Sequence, residues 1–155
     1  MILFLDFDGV LHPEYEREPM PSEQSFCHLL RLEAILREYP HVEIVITSMW
    51  RYEFSITDLR NRFAEDIRHR IIGVTALEEH QNARHLPARR EGEILDWLMA
   101  NDRMGDPWIA LDDATWQFQK HKDKLVACVS YVGLNDEAEN KLRAMLETNN
   151  RGVKD

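Results

Sequence analysis

Asp6 and Asp8 stand one residue apart, directly after four apolar residues and directly before Gly9. Two carboxylates at the end of a buried strand are costly unless something cationic compensates them. A divalent metal held by oxygen ligands is the natural compensator. In that setting Asp6 can attack phosphorus as a carboxylate nucleophile, and Asp8 can protonate a leaving oxygen and then activate water. Mg²⁺ would bridge Asp6, the Asp8 backbone carbonyl and a phosphate. Gly9 would let the backbone turn sharply and come close to whatever the acids hold. Taken alone, the same residues also suit a plain polar turn, where acids and glycine are common.

Other groups extend the pattern. Val42-Glu-Ile-Val-Ile46 ends in Thr47-Ser48, where a hydroxyl and backbone N–H groups could hold phosphate oxygens. Trp108-Ile-Ala-Leu111 ends in Asp112-Asp113, carboxylates that could complete a Mg²⁺ site. Arg90 would supply the cation that offsets phosphate and nucleophile.

These groups need elements to hold them. Ile2 to Leu5 runs without alternation, which suits a strand buried on both faces of a parallel sheet. Val42–Ile46, Arg70–Val74, Trp108–Leu111 and Leu125–Val129 read as further strands. Between them, helical spacing of apolar residues predicts a helix from Phe26 to Tyr39, with Leu29, Leu30, Ile35 and Leu36 on it. Ser55-x-x-Asp58 predicts a capped helix through Leu59 and Phe63. A helix is expected from about Glu91 to Asn101, and a last one capped by Asn135. Residues 14–25 and 78–90 read as loops. Strands alternating with helices predict a three-layer, Rossmann-like α/β fold: a parallel five-stranded sheet with helices on both faces. Ligands of such sheets bind beyond the carboxyl ends of the strands. A single domain over residues 1–148 is expected, with a frayed tail over 149–155.

The chain has 155 residues, enough for one core without staples. Apolar content of 44% and charged content of 30% suit a globular protein, and no apolar run approaches a membrane span. The N-terminal residues do not read as a signal peptide. Two cysteines, Cys27 and Cys128, make neither a disulfide framework nor a zinc pattern, and a reducing cytoplasm fits them. The net charge of −9 argues against a broadly basic nucleic-acid surface, though not against a local basic rim. Trp97, Trp108 and Trp116 read as packing residues.

On these residues the chain resembles the haloacid dehalogenase (HAD) superfamily of aspartate-nucleophile phosphohydrolases. Asp6-Phe-Asp8-Gly9-Val10 matches the first motif, including the second acid that separates phosphatases from dehalogenases. Ile44-Val-Ile-Thr47 matches the second motif, and Ile109-Ala-Leu-Asp112-Asp113 the fourth. The third motif is usually a lysine; here Arg90 takes its place, with Arg89 as a rival. Arginine keeps the charge but exchanges a compact ammonium for a planar fork. The family pattern gives the metal to Asp113, with Asp112 in support. The wording around the motifs is similar to a capless branch associated with RNA-repair proteins.

A cap closes such a site over a small substrate and excludes water. With no room for one here, a large substrate or a partner (or a second copy of the chain) is expected to complete the open site. A phosphorylated RNA or DNA end fits that expectation, as does a phosphoprotein, and the nucleic-acid end is preferred. Trp50, Arg51, Arg84, His85 and Arg89 are rim residues that could stack bases or contact phosphates, although Trp50 also reads as a core residue. His12 could touch a leaving group or simply bond within its loop. The alternatives are a phosphatase of small phosphomonoesters or nucleotides, and a non-catalytic metal-binding partner domain of the same fold.

Overall fold

The computed structural model describes residues 1–14, 24–77 and 88–151 of the chain. Arg84, His85, most of the two expected loops and the end of the tail lie outside the described residues. Strand β1 is Ile2–Leu5, and all its residues are buried. Ile2 and Phe4 face one core, while Leu3 and Leu5 face the other. That two-sided burial is why the strand shows no polar alternation.

Helix α1 is Leu29–Glu38. It starts later than its apolar spacing predicts because Phe26 adopts a left-handed φ of 55°, a conformation that does not propagate a helix. The Phe26 ring packs edge-on against Phe7 and Trp50 instead. Leu30 points to solvent, and Leu32, Ile35 and Leu36 carry the buried face. Strand β2 is Glu43–Ile46.

Helix α2, Ile56–Arg60, is capped as predicted: the Ser55 hydroxyl accepts from Asp58 N at 3.1 Å. It does not run on through Phe63. Arg60 turns its guanidinium onto the Ile71 carbonyl, and a separate helix α3, Glu65–Arg68, starts where the Glu33 carboxylate accepts from Ala64 N. Strand β3 is Ile71–Val74. Helix α4, Arg89–Ala100, begins two residues ahead of Glu91, so Arg90 lies within its first turn. Strand β4 is Trp108–Asp112 and β5 is Leu125–Ala127, shorter than predicted. Helix α5, Asp136–Arg151, is capped by the Asn135 side chain and continues past Asn149, where fraying was expected to begin.

The five strands are all parallel, in the order β3-β2-β1-β4-β5. Helices α1, α2, α3 and α5 pack on one face through Leu36, Leu59, Ile67 and Leu142. Helix α4 covers the other through Ile94 and Leu98. This is the three-layer Rossmann-like fold, with no separate cap domain among the described residues. Trp97 and Trp108 pack edge-on against Phe4, as expected of core residues. Trp116 does not: it is 60% exposed. Among the described residues, no helix is long and apolar enough to cross a membrane.

The chain runs outward from β1 to β3 and then returns to the other side of β1 for β4. Leu5 pairs with Ile46 on one side and Leu111 on the other. Asp6, Thr47 and Asp112 therefore follow on one rung, at the carboxyl edge where the strand order reverses.

Candidate active site

Backbone bonds hold that rung in place. Asp6 N donates to Leu111 O at 3.1 Å, and Thr47 N donates to Leu5 O at 2.9 Å. Asp6, Asp112 and Asp113 are all buried, each with a carboxylate oxygen within 4.8 Å of the others. Asp6 Oδ1 accepts from Phe7 N at 2.9 Å.

Arg90 crosses this cluster. Its Nη1 donates to Asp112 Oδ2 at 2.7 Å and to Thr47 Oγ1 at 3.1 Å, and lies 3.6 Å from Asp6 Oδ1. One guanidinium thus joins β2 to β4 across β1. Arg89, the rival, donates to Glu93 Oε1 at 3.0 Å and lines the mouth of the site instead. Thr47 and Ser48 also separate. Thr47 faces Arg90, whereas the Ser48 hydroxyl accepts from Trp50 N at 3.2 Å and caps a 3₁₀ turn, Met49–Tyr52.

Asp112 and Asp113 divide in the same way. Asp112 spends Oδ1 on Ala114 N and Oδ2 on Arg90. Its geometry holds the arginine and the following turn, which leaves Asp113 and Asp6 as the better-placed oxygen donors for a cation. Gly9 explains why Asp113 fits. Its φ is +75°, and a Cβ there would collide with the Asp113 carboxylate.

The electrostatics point to a missing positive charge. Burial, followed by the neighbouring Asp112 carboxylate, pushes the Asp6 pKa well above its usual range despite Arg90. Burial likewise raises Asp112, with Arg90 opposing. Burial works against the charge of Arg90, but Asp112 and Asp6 more than offset it, and the guanidinium stays protonated. Three carboxylates against one guanidinium leave two negative charges uncompensated, which is what one divalent cation supplies. The donor set, hard oxygens only, fits Mg²⁺.

Asp8 sits on the cavity side, with its side chain 42% exposed. The loop turns back on itself through Gly9 N to His12 O at 2.9 Å, bringing His12 beside Asp8. Asp8 Oδ1 is 2.7 Å from His12 Nε2 and accepts from Trp50 Nε1 at 3.1 Å. Partial burial works to raise the Asp8 pKa, but these two hydrogen bonds outweigh it and leave the group below its usual range.

Arg51 is not a rim residue. It is buried, and its donors go to the carbonyls of Thr47, Ser48, Thr75 and Ala76 and to Glu93 Oε2. It ties the loops after β2 and β3 to α4. Trp50 is half-buried among Phe7, Phe26 and Phe54, with Arg62 over its ring at 4.8 Å.

Two acids unremarked in the sequence brace the site. Glu93 gathers Arg51 and Arg89. Glu91 is buried and accepts from the amides of Gln119, Lys120 and His121, fixing the chain after β4 to the first turn of α4. Apart from Arg89, one turn back on the same helix, the partners lie 28 to 42 residues away, so no local motif announces either role. Trp116 was missed for a related reason. Its carbonyl accepts from Ala88 N, Gln117 beside it accepts from Arg90 N, and the indole is left projecting at the mouth. The cavity, about 400 Å³, is lined by Asp6, Asp8, Asp113, Arg89, Arg90 and Trp116 among others.

No curated protein and no solved structure matches the chain. A family model does: residues 2–138 match the family described as the HAD domain in Swiss Army Knife RNA repair proteins. With nearly the whole described chain covered and the motif residues gathered at one sheet edge, the protein belongs to this family of HAD-type hydrolase domains.

Proposed function

We propose that the domain is a Mg²⁺-dependent phosphomonoester hydrolase acting through a phospho-aspartyl intermediate. The observation that carries this reading is the shared rung of Asp6, Thr47 and Asp112, bridged by one partly buried arginine and short of two positive charges. Asp6, Asp113 and the Asp8 backbone carbonyl would hold the cation. When bound, Mg²⁺ supplies charge neutralisation for the phosphoryl group and the nucleophile.

The protein's own groups account for the proton and bond changes. Thr47 and Arg90 hold the phosphoryl oxygens. A carboxylate oxygen of Asp6 bonds to phosphorus as the ester P–O bond breaks; Asp8, whose two hydrogen bonds favour the ionised form, first takes up a proton in the substrate-bound site and then gives it to the departing oxygen. Asp8, now ionised, takes a proton from water. The water oxygen bonds to phosphorus, the Asp6–phosphorus bond breaks, and inorganic phosphate leaves. Little covalent work is asked of the protein beyond positioning and charge.

The preferred substrate is a phosphorylated nucleic-acid end. Three features support it: the absence of a cap among the described residues, the exposed Trp116 at the cavity mouth, and a family described by RNA repair. An exposed indole offers a face on which a base can stack. The test is Mg²⁺-dependent phosphate release by the wild-type protein and Asp6→Asn. Substrates are 3′- and 5′-phosphorylated oligonucleotides, a nucleotide panel and an aryl phosphate. Turnover lost in the variant and fastest on oligonucleotides is expected. Faster turnover of free nucleotides would move the assignment to small phosphomonoesters. No turnover of any, with the fold intact, would leave a binding domain.

A further inference from the structure

We infer that His12 and Trp50 are positioning residues that clamp one oxygen of Asp8, so that the other alone exchanges protons with the substrate. The inference rests on the phosphatase reading, in which Asp8 is the acid and base.

Both contacts converge on Oδ1 of Asp8, from His12 Nε2 at 2.7 Å and Trp50 Nε1 at 3.1 Å. The indole nitrogen can only donate. The imidazole nitrogen can do either, and its role is settled from the far side of the ring. Phe26 N–H donates to His12 Nδ1 at 3.3 Å, so Nδ1 carries no proton and Nε2 carries the one on the ring. Asp8 Oδ1 therefore faces two N–H donors. A proton placed there would oppose both, which leaves Oδ2 as the oxygen that gives and takes it.

The clamp is built rather than incidental. His12 is 1% exposed, although it follows a turn at the mouth of an open site. Its ring meets Phe26 edge-on at 5.1 Å and Trp50 at 5.9 Å. This gives a reason for the left-handed φ of Phe26: the same residue offers its amide to the imidazole and its ring to the indole. Trp50 is pinned at its backbone by the Ser48 hydroxyl, one residue beyond Thr47. The acid and the phosphate-holding hydroxyl are thereby indexed to one short turn. An aspartate with a partly exposed side chain would otherwise sample several rotamers, and misplacement on the scale of an ångström is enough to slow proton transfer.

The test separates positioning from folding by leaving group. Trp50→Phe removes the N–H while keeping an aromatic ring among Phe7, Phe26 and Phe54. His12→Leu removes the imidazole and supplies no donor in its place. Each is assayed beside the wild type with an aryl phosphate, whose phenolate leaves with little help, and an alkyl phosphate, whose alkoxide needs the proton. Because kcat/KM reports the steps through departure of the leaving group, it isolates the acid role. We expect kcat/KM to fall about tenfold further for the alkyl ester than for the aryl ester in each variant. Equal losses on both esters, or no loss on either, overturn the clamp. Wild-type protein that hydrolyses neither ester overturns the phosphatase reading and this inference with it. A second readout is independent of turnover: the ¹⁵N shifts of His12 in the wild type should show protonation at Nε2 and not Nδ1. A ring protonated at Nδ1 overturns the assignment.

Discussion

Replacing Asp6 by asparagine should abolish turnover and, in metal-free protein, raise stability. The side chain packs two like-charge neighbours and one opposite charge into a buried site. With carboxylate oxygens within 4.8 Å, each repulsion of Asp6 with Asp112 or Asp113 is about 3.5 kcal/mol at an effective dielectric of about 20. The attraction to Arg90, at 3.6 Å, returns about 4.5 kcal/mol. The balance is a net penalty of about 2–2.5 kcal/mol on the ionised carboxylate, before any cost of burial. Asparagine keeps the acceptor for Phe7 N and loses the charge. For a chain of this length the gain amounts to about 4–8 °C in melting temperature.

The pH dependence carries a sign. The folded-state pKa of Asp6 is raised, so the folded protein keeps this proton to higher pH than the unfolded chain does. Stability of the wild type therefore falls as pH rises from the ordinary carboxylate range through the folded-state pKa. The variant lacks this loss, so its advantage should be small near pH 4 and grow toward pH 8. Thermal melts in chelator across that range, repeated with Mg²⁺, measure it. Mg²⁺ should stabilise the wild type more than the variant. A variant no more stable than the wild type at pH 8 in chelator, or an advantage independent of pH, would refute the charge argument.

Gly9→Ala should fold less stably and lose most of its Mg²⁺-dependent stabilisation, because the new methyl displaces Asp113; a Mg²⁺ titration followed by melting temperature checks this. Trp116→Ala should raise KM for a phosphorylated oligonucleotide by roughly 5- to 150-fold, the equivalent of about 1–3 kcal/mol of base stacking, with no comparable loss on a small alkyl phosphate; Trp116→Phe should recover most of it. Burial, with Asp113 nearby, pushes the Cys128 thiol up to about 12. A thiol reagent at neutral pH should therefore label exposed Cys27 alone in native protein and both cysteines after unfolding.

Much of this site is legible in the sequence because its parts are strand ends. Unbroken apolar runs mark β1, β2 and β4, and an acid or hydroxyl directly after such a run lies on the carboxyl edge of a parallel sheet. What is not legible is which of two adjacent groups faces inward. Thr47 against Ser48, Arg90 against Arg89 and Asp113 against Asp112 are each separated by contacts between distant segments. Helix limits fail for a similar reason. Phe26 has the spacing of a helical residue, yet its amide and ring are committed to His12 and Trp50. Arg51 looks like a rim residue because it follows a phosphate-binding hydroxyl, but the 3₁₀ turn rotates it into five acceptors; Trp50, which reads as core as well as rim, packs against aromatic rings. Trp116 looks like core, since nothing in its neighbours shows that its backbone is held from both sides.

The central place of β1 has a consequence for how the chain is made. Its partner β4 is synthesised only after β2, β3 and α4, so one edge of the most apolar strand stays open until most of this domain has been made. Such an edge invites pairing with another chain. Charged residues flanking a hydrophobic segment discourage that association, and Asp6 and Asp8 stand directly at its end. The nascent chain carries them ionised and hydrated, before burial raises the cost. On this account the carboxylates guard the strand against aggregation before they are gathered into the finished site, and neutralising both would lower the yield of soluble protein even where the folded product is more stable.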